Sequence, residues 1–130
     1  MAVVATAALI VFVDGFLSLI LARDIVELPD AGPLAGPAMA LVVCLLVLLF
    51  VLRRRPLGLA ARAISAGLSS AVLGPLVGAL IYGAVRTEPA SVWVFLGSSI
   101  LSPFTLAASL IAAVVVAAAA LAERAQAGGR

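Results

Sequence analysis

Residues 34–56 read LAGPAMALVVCLLVLLFVLRRRP, and this stretch decides how the rest of the chain is read. From Leu34 to Leu52 it carries no charged residue, and Arg53, Arg54, Arg55 and Pro56 then stop it abruptly. Gly36 and Pro37 fall in the first turn, where a missing amide hydrogen is tolerated. An apolar run of this kind, closed by charge and proline, has the pattern of a membrane-spanning helix, and its boundary is the sharpest in the chain.

Working outward, three more runs of the same kind appear. Ala2 to Ala22 corresponds to a helix of about 31 Å, which matches a hydrocarbon core of roughly 30 Å. Its start lacks a positive region and a small-residue cleavage pattern after Leu21, so it reads as a retained span and not as a signal peptide. Ile64 to Val85 is rich in Gly, Ala and Ser and is closed by Arg86 and Pro89. Val92 to Ala122 would make a straight helix of about 46 Å, too long for one crossing and too short for two, so a kink or break is expected near Pro103. Whether this last run is one kinked helix or a re-entrant piece followed by a span stays open at this level. Trp93 and Phe95 at its start suit the membrane interface, where aromatic rings are enriched.

The composition agrees. Hydrophobic residues make up 65% of the chain and charged residues 11%, with a mean hydropathy of +1.33. An ordinary soluble domain is roughly half apolar and a quarter charged. The expected fold is therefore all-α: one polytopic membrane domain over residues 1–130, a four-transmembrane-helix bundle with spans at about 2–22, 34–52, 64–85 and 92–122. All eight basic residues are Arg, and Lys, His and Asn are absent, a bias of high-GC genomes that reads as bacterial and actinobacterial.

Charge placement supplies an orientation. Arg53, Arg54, Arg55 and Arg62 lie between the second and third runs, and Arg124 and Arg130 lie in the tail, against Arg23 and Arg86 on the other side. Short loops rich in Arg stay cytoplasmic. Both termini are expected inside, with the protein multi-pass in the bacterial inner membrane. The segment from Arg53 to Ile64 is expected at the cytoplasmic surface, as a topology determinant or, through Arg53, Arg54, Arg55 and Arg62, as a lipid-headgroup contact. The net charge of +2 does not indicate nucleic acid, because the basic residues are few and gather at the ends of apolar runs.

Asp14 is the one ionisable residue deep inside a run. A carboxylate there costs roughly 2.5–3.5 kcal/mol on insertion scales, which the surrounding Val, Leu, Ile and Phe residues offset at roughly 0.3–0.6 kcal/mol each. With no basic residue inside any other run, Asp14 is expected to face the bundle interior, where it must be protonated, hydrated or paired between chains. Ser18, four residues on, shares its helical face. Ser98, Ser102, Thr105 and Ser109 recur at steps of four, three and four and form one hydroxyl stripe, expected to face inward. Asp14, Ser18 and this stripe are the candidate proton or ligand site; the alternative for the hydroxyls is local bonding to carbonyls of their own helix.

The third run carries small residues four apart: Gly67, Ala71, Pro75, Ala79 and Gly83 in one row, Ser70, Gly74, Gly78 and Tyr82 in the next. Close backbone approach is expected along Gly67, Ala71, Gly74, Pro75 and Gly78, as in small-xxx-small helix contacts. Enzymatic chemistry is not expected. With no histidine, no acid pair inside the runs and no phosphate-binding glycine loop after a strand, neither a catalytic constellation nor a cofactor or metal site is foreseen. Cys44, the single cysteine, reads as a small buried hydrophobe.

The stretch LARDIVELPDAGPLAGP, Leu21 to Pro37, with its flanking runs resembles small four-helix membrane proteins of actinobacteria grouped as a family of unknown function. That resemblance implies a membrane location and no activity. In architecture the chain is also similar to the small multidrug resistance transporters, with a comparable length, four spans and a lone acid in the first. In that family the acid binds protons and cationic drugs alternately, a role that would fall on Asp14. That family uses Glu and cages the drug with early Trp and Tyr, whereas here the aromatic pair is Trp93 and Tyr82. The leading expectation is an accessory, packing or envelope-associated membrane protein, with a proton-coupled small transporter using Asp14 as the alternative. Expected partners are membrane lipids and either a second copy or another membrane protein.

Overall fold

A computed structural model describes residues 2–21, 35–52 and 58–128, and everything in these stretches that is regular is helical. The helices are α1 (Ala2–Leu21), α2 (Ala35–Leu52), α3 (Leu59–Arg86), α4 (Pro89–Ile100) and α5 (Pro103–Gly128). Two of them, over 59–86 and 103–127, are long and apolar enough to cross a membrane. Arg53, Arg54 and Arg55, and the loop between α1 and α2, lie outside the described residues.

The expected fourth run is divided between α4 and α5, with the chain turning at Leu101 and Ser102. The cause is local. Pro103 has no N–H to give Ser99, so the Ser99 carbonyl instead accepts from the Ser102 N–H at 3.3 Å, which withdraws that donor from Ser98. Pro103 then starts α5, a position where its fixed φ and missing donor cost nothing. The regular turn of α4 puts its two aromatic residues on opposite sides. Residues two apart on a helix are about 200° apart, so Trp93 is 73% exposed while Phe95, expected beside it at the interface, is fully buried.

At the other end of α4 the connection is only Thr87 and Glu88. Thr87 caps α3 in the left-handed region at φ 57°, its N–H bonded to the Gly83 carbonyl at 2.9 Å. Ser91 reaches back with both its N–H and its hydroxyl to the Glu88 carbonyl, at 3.1 and 2.6 Å. So tight a turn sends α4 back along α3. A β-branched residue pays for positive φ, and Thr87→Gly is expected to stabilise the protein by about 1 kcal/mol, read as a higher Tm.

Helix α3 is central, touching α2, α4 and α5, while α1 packs on α2 and α5. The contacts define a register. Gly83 faces Val92, Gly78 faces Met39 and Phe95, Gly74 faces Val43, and Gly67 faces Ser109 and Ala113. Helices α4 and α5 thus lie end to end, antiparallel to α3, and their junction comes level with Gly74 and Pro75 near its middle.

Two apolar cores result. One is built from Ile10, Val43, Val47, Ala66, Ala112, Val115 and Val116, with half-buried Cys44 packed against it. The other holds Ala79, Tyr82 and Phe95, with Met39, Val92 and Leu96. The Tyr82 and Phe95 rings meet at a centroid distance of 5.3 Å, and Arg86 lies over the Tyr82 ring at 5.4 Å.

Arg62 is inside the protein and not at its surface, where the sequence reading put it. Helix α3 begins at Leu59, ahead of the expected Ile64, and this extra turn carries Arg62 to 8% exposure. Its guanidinium donates to the Phe50 carbonyl at 2.9 Å and approaches Glu123 at 3.6 Å, so one side chain ties the end of α2, the start of α3 and the end of α5. A cation near a helix C-terminus, bonded to one of its last carbonyls, is favourably placed.

Candidate functional site

Between the two cores lies a cavity lined by residues of all five helices. Its polar groups are Asp14 from α1, Ser70 from α3, Ser98 and Ser99 from α4, and Ser102 and Thr105 at and after the break. Ile10, Met39, Val43 and Phe104 are among its apolar walls. It offers about 50 Å³ to the centres of water-sized molecules.

Each polar group arrives for a local reason. Asp14 is one helical turn from Ile10, so the residue that enters the first core carries the acid to its upper edge on the same face of α1. Ser70 and Gly74 are likewise one turn apart on α3. Gly74 keeps the wall open: a Cβ there would meet only Val43, at 3.8 Å. Ser102 sits in the break itself, and Thr105 follows in the first turn of α5.

The site has polar atoms that the protein leaves without a hydrogen-bond partner. Asp14 Oδ1, Ser70 Oγ and Ser102 Oγ are all buried, with no hydrogen-bond partner among the described residues. Asp14 is 7% exposed, Ser70 1% and Ser102 7%. Buried polar atoms are normally paired, so three orphans on one small cavity mark a place built for something that supplies the missing contacts. Backbone adds to this polarity. Pro75, fully buried on the cavity wall, has no N–H for the Ala71 carbonyl one turn earlier. Irregular backbone deep in an apolar bundle is tolerated where it lines a cavity.

Among the described residues, Asp14 is the one ionisable side chain lining the cavity. Arg62 is eight residues before Ser70 on α3, about 12 Å along the axis, and its contacts are elsewhere.

The residues singled out from sequence separate into groups. Asp14, Ser98, Ser102 and Thr105 come together at the cavity. Ser98 and Ser109 bond to carbonyls of their own helices, those of Phe95 at 2.9 Å and Thr105 at 2.7 Å, and Ser109 lies beside Gly67 instead of at the cavity. The side chain of Ser18 lies outside the described residues. Of the small residues on α3, Gly67 and Gly78 are close-contact positions, Gly74 and Pro75 line the cavity, and Ala71 is half-buried. Ser70 was visible only as a packing position and Ser99 not at all. Ser70 shares the row of Gly74, which now reads as a cavity row as much as a packing one. No group of three or more metal-ligating side chains occurs among the described residues.

Residues 1–130 match DUF6121, a family of unknown function, and the chain belongs to that family. No curated protein and no solved structure matches it.

Proposed function

We propose that this protein is a four-span, multi-pass protein of the bacterial cell membrane, with both termini cytoplasmic, that carries out no covalent chemistry and acts by binding a proton or small cation at Asp14. In this reading α1, α2 and α3 each cross once, and α4 and α5 together make a broken fourth crossing. Their lengths support it: α1, α2 and α3 are about 30, 27 and 42 Å long. So do the outward faces, where Val11, Phe12, Leu41, Leu45, Leu68, Val72, Leu106 and Leu110 are exposed as lipid-facing residues would be.

The observation that carries the functional part is the acid-centred cavity at the helix break. An acid within a membrane span is costly and is a functional-site candidate by default, and discontinuous helices near the bilayer midplane are where transporters form such sites. The test uses the full-length protein in liposomes. Adding a panel of inorganic and organic cations is expected to release protons from wild type, and Asp14→Asn is expected to abolish the release while still inserting and folding. A wild-type protein that releases none with any cation defeats this reading.

A second reading, an accessory subunit of a membrane complex, draws on the outer face of α1. There Phe12 and Phe16 stack in parallel, with centroids 6.4 Å apart, on the exposed side. It expects a defined membrane-protein partner in a mild-detergent pull-down, lost on Phe12→Ala with Phe16→Ala.

A further inference from the structure

Four properties of the cavity bear on what fills it. The first is its donor set. The lining provides a carboxylate and hydroxyls, with no imidazole and no thiol. These are hard oxygen ligands, suited to alkali and alkaline-earth cations and poorly suited to soft transition metals. The Met39 sulfur, the one soft atom on the wall, lies against Gly78.

The second property is charge. One carboxylate balances one positive charge, and a divalent ion would leave a net charge in an apolar surround, which is costly unless paired. The third is size. A water takes about 10–15 Å³ of such a cavity, so about 50 Å³ has room for roughly three to five water-sized species, an ion with two to four waters, and not for a drug-sized organic cation. The fourth is the absence of an aromatic cage. Phe104 is the one aromatic residue on the lining, while Trp93 faces outward and Tyr82 is packed on Phe95. Caged recognition of quaternary ammonium uses several such rings.

Water alone would satisfy Ser70 and Ser102 but leaves the charge of Asp14, which a proton or a bound cation has to balance. We infer that the cavity binds one partly dehydrated monovalent metal cation of sodium size, held by Asp14, Ser70, Ser102 and Thr105 at the α4–α5 break. The Ser102 N–H, at the break, is turned to the Ser99 carbonyl and so is not given to that of Ser98. Half-helix ends and unwound carbonyls coordinate alkali ions in this way in broken-helix membrane proteins. This inference rests on the site reading given above and narrows it to an ion class.

The test is thermal melting of the detergent-purified full-length protein. NaCl is titrated against N-methylglucamine chloride at constant ionic strength, with KCl in parallel. Sodium is expected to raise Tm by several degrees in a saturable way, since a ligand that binds only the folded state stabilises it. Potassium is expected to do less. Asp14→Asn is expected to lose the sodium response while melting no lower than sodium-free wild type, because an amide is cheaper than a carboxylate in an apolar site. Ser102→Ala is expected to raise the half-saturating sodium concentration roughly tenfold.

No sodium-specific shift, a shift that survives in Asp14→Asn, or an equal response to potassium overturns the inference. If sodium fails while Asp14-dependent proton release in liposomes persists, the ion assignment falls and the site stands. If both fail, the site reading falls with it.

Discussion

Gly78→Ala is expected to cost about 1–3 kcal/mol, and Gly78→Leu to detach α4 from α3. A Cβ on Gly78 would lie 2.7 Å from the Met39 sulfur and 2.8 Å from Phe95. The methionine can swing aside, because its thioether is the far end of a flexible chain. The Phe95 ring cannot. It is fully buried and held against Tyr82, and it anchors the short α4, whose contacts are mostly with α3. The control is Gly97→Ala on α4, where an added Cβ meets nothing within 4 Å, so the gain in helix propensity leaves stability unchanged or raised by up to about 1 kcal/mol. Unfolding of the detergent-solubilised variants by heat or by SDS measures both. Equal behaviour of the two variants would show that the helix contact at Gly78 is not as described.

Arg62→Met is expected to cost about 2–3 kcal/mol, the second large effect. Methionine keeps much of the volume but takes the charged guanidinium donor away from the Phe50 carbonyl near the end of α2. The ion pair contributes less than the hydrogen bond. Glu123 is 39% exposed and 3.6 Å away, so Glu123→Gln is expected to cost under about 1 kcal/mol. The ordering, Arg62→Met well above Glu123→Gln, is the result to check, again by unfolding in detergent. The reverse order would make the α3–α5 ion pair, and not the tie to α2, the main hold at this end of the bundle. Arg62 Nε makes no hydrogen bond among the described residues, which keeps the expected loss at the size of one charged bond and not two.

Arg62 also shows where one-dimensional reading ends. The run Arg53 to Arg62 looks like a single basic surface segment, because arginines near an apolar run usually sit in the headgroups. Helix α3 instead starts at Leu59, and the fourth residue of that helix turns inward. The glycine spacing is a similar case. Gly74 and Gly78 form one small-xxx-small pair by sequence, yet Gly78 is pressed by two side chains and Gly74 fronts open space. The pair looks uniform because spacing reports the face of a helix and not the size of what lies opposite.

What the residues determine by themselves is helix content, the position of the apolar runs, the interruption near Pro103 and the isolation of Asp14. These follow from local causes: backbone groups in an apolar run satisfy one another within a helix, and a proline removes a donor wherever it stands. The meeting of Asp14 with Ser70, Ser102 and Thr105 was decided only by tertiary structure, as were the burial of Phe95 and Arg62 and the division of the glycines between contact and cavity. Each depends on the register in which one helix slides against another, and register is set by interdigitating side chains from segments far apart in the chain. The acid was legible in the first run, and the hydroxyls that share its cavity became so once α4 and α5 were laid along α3.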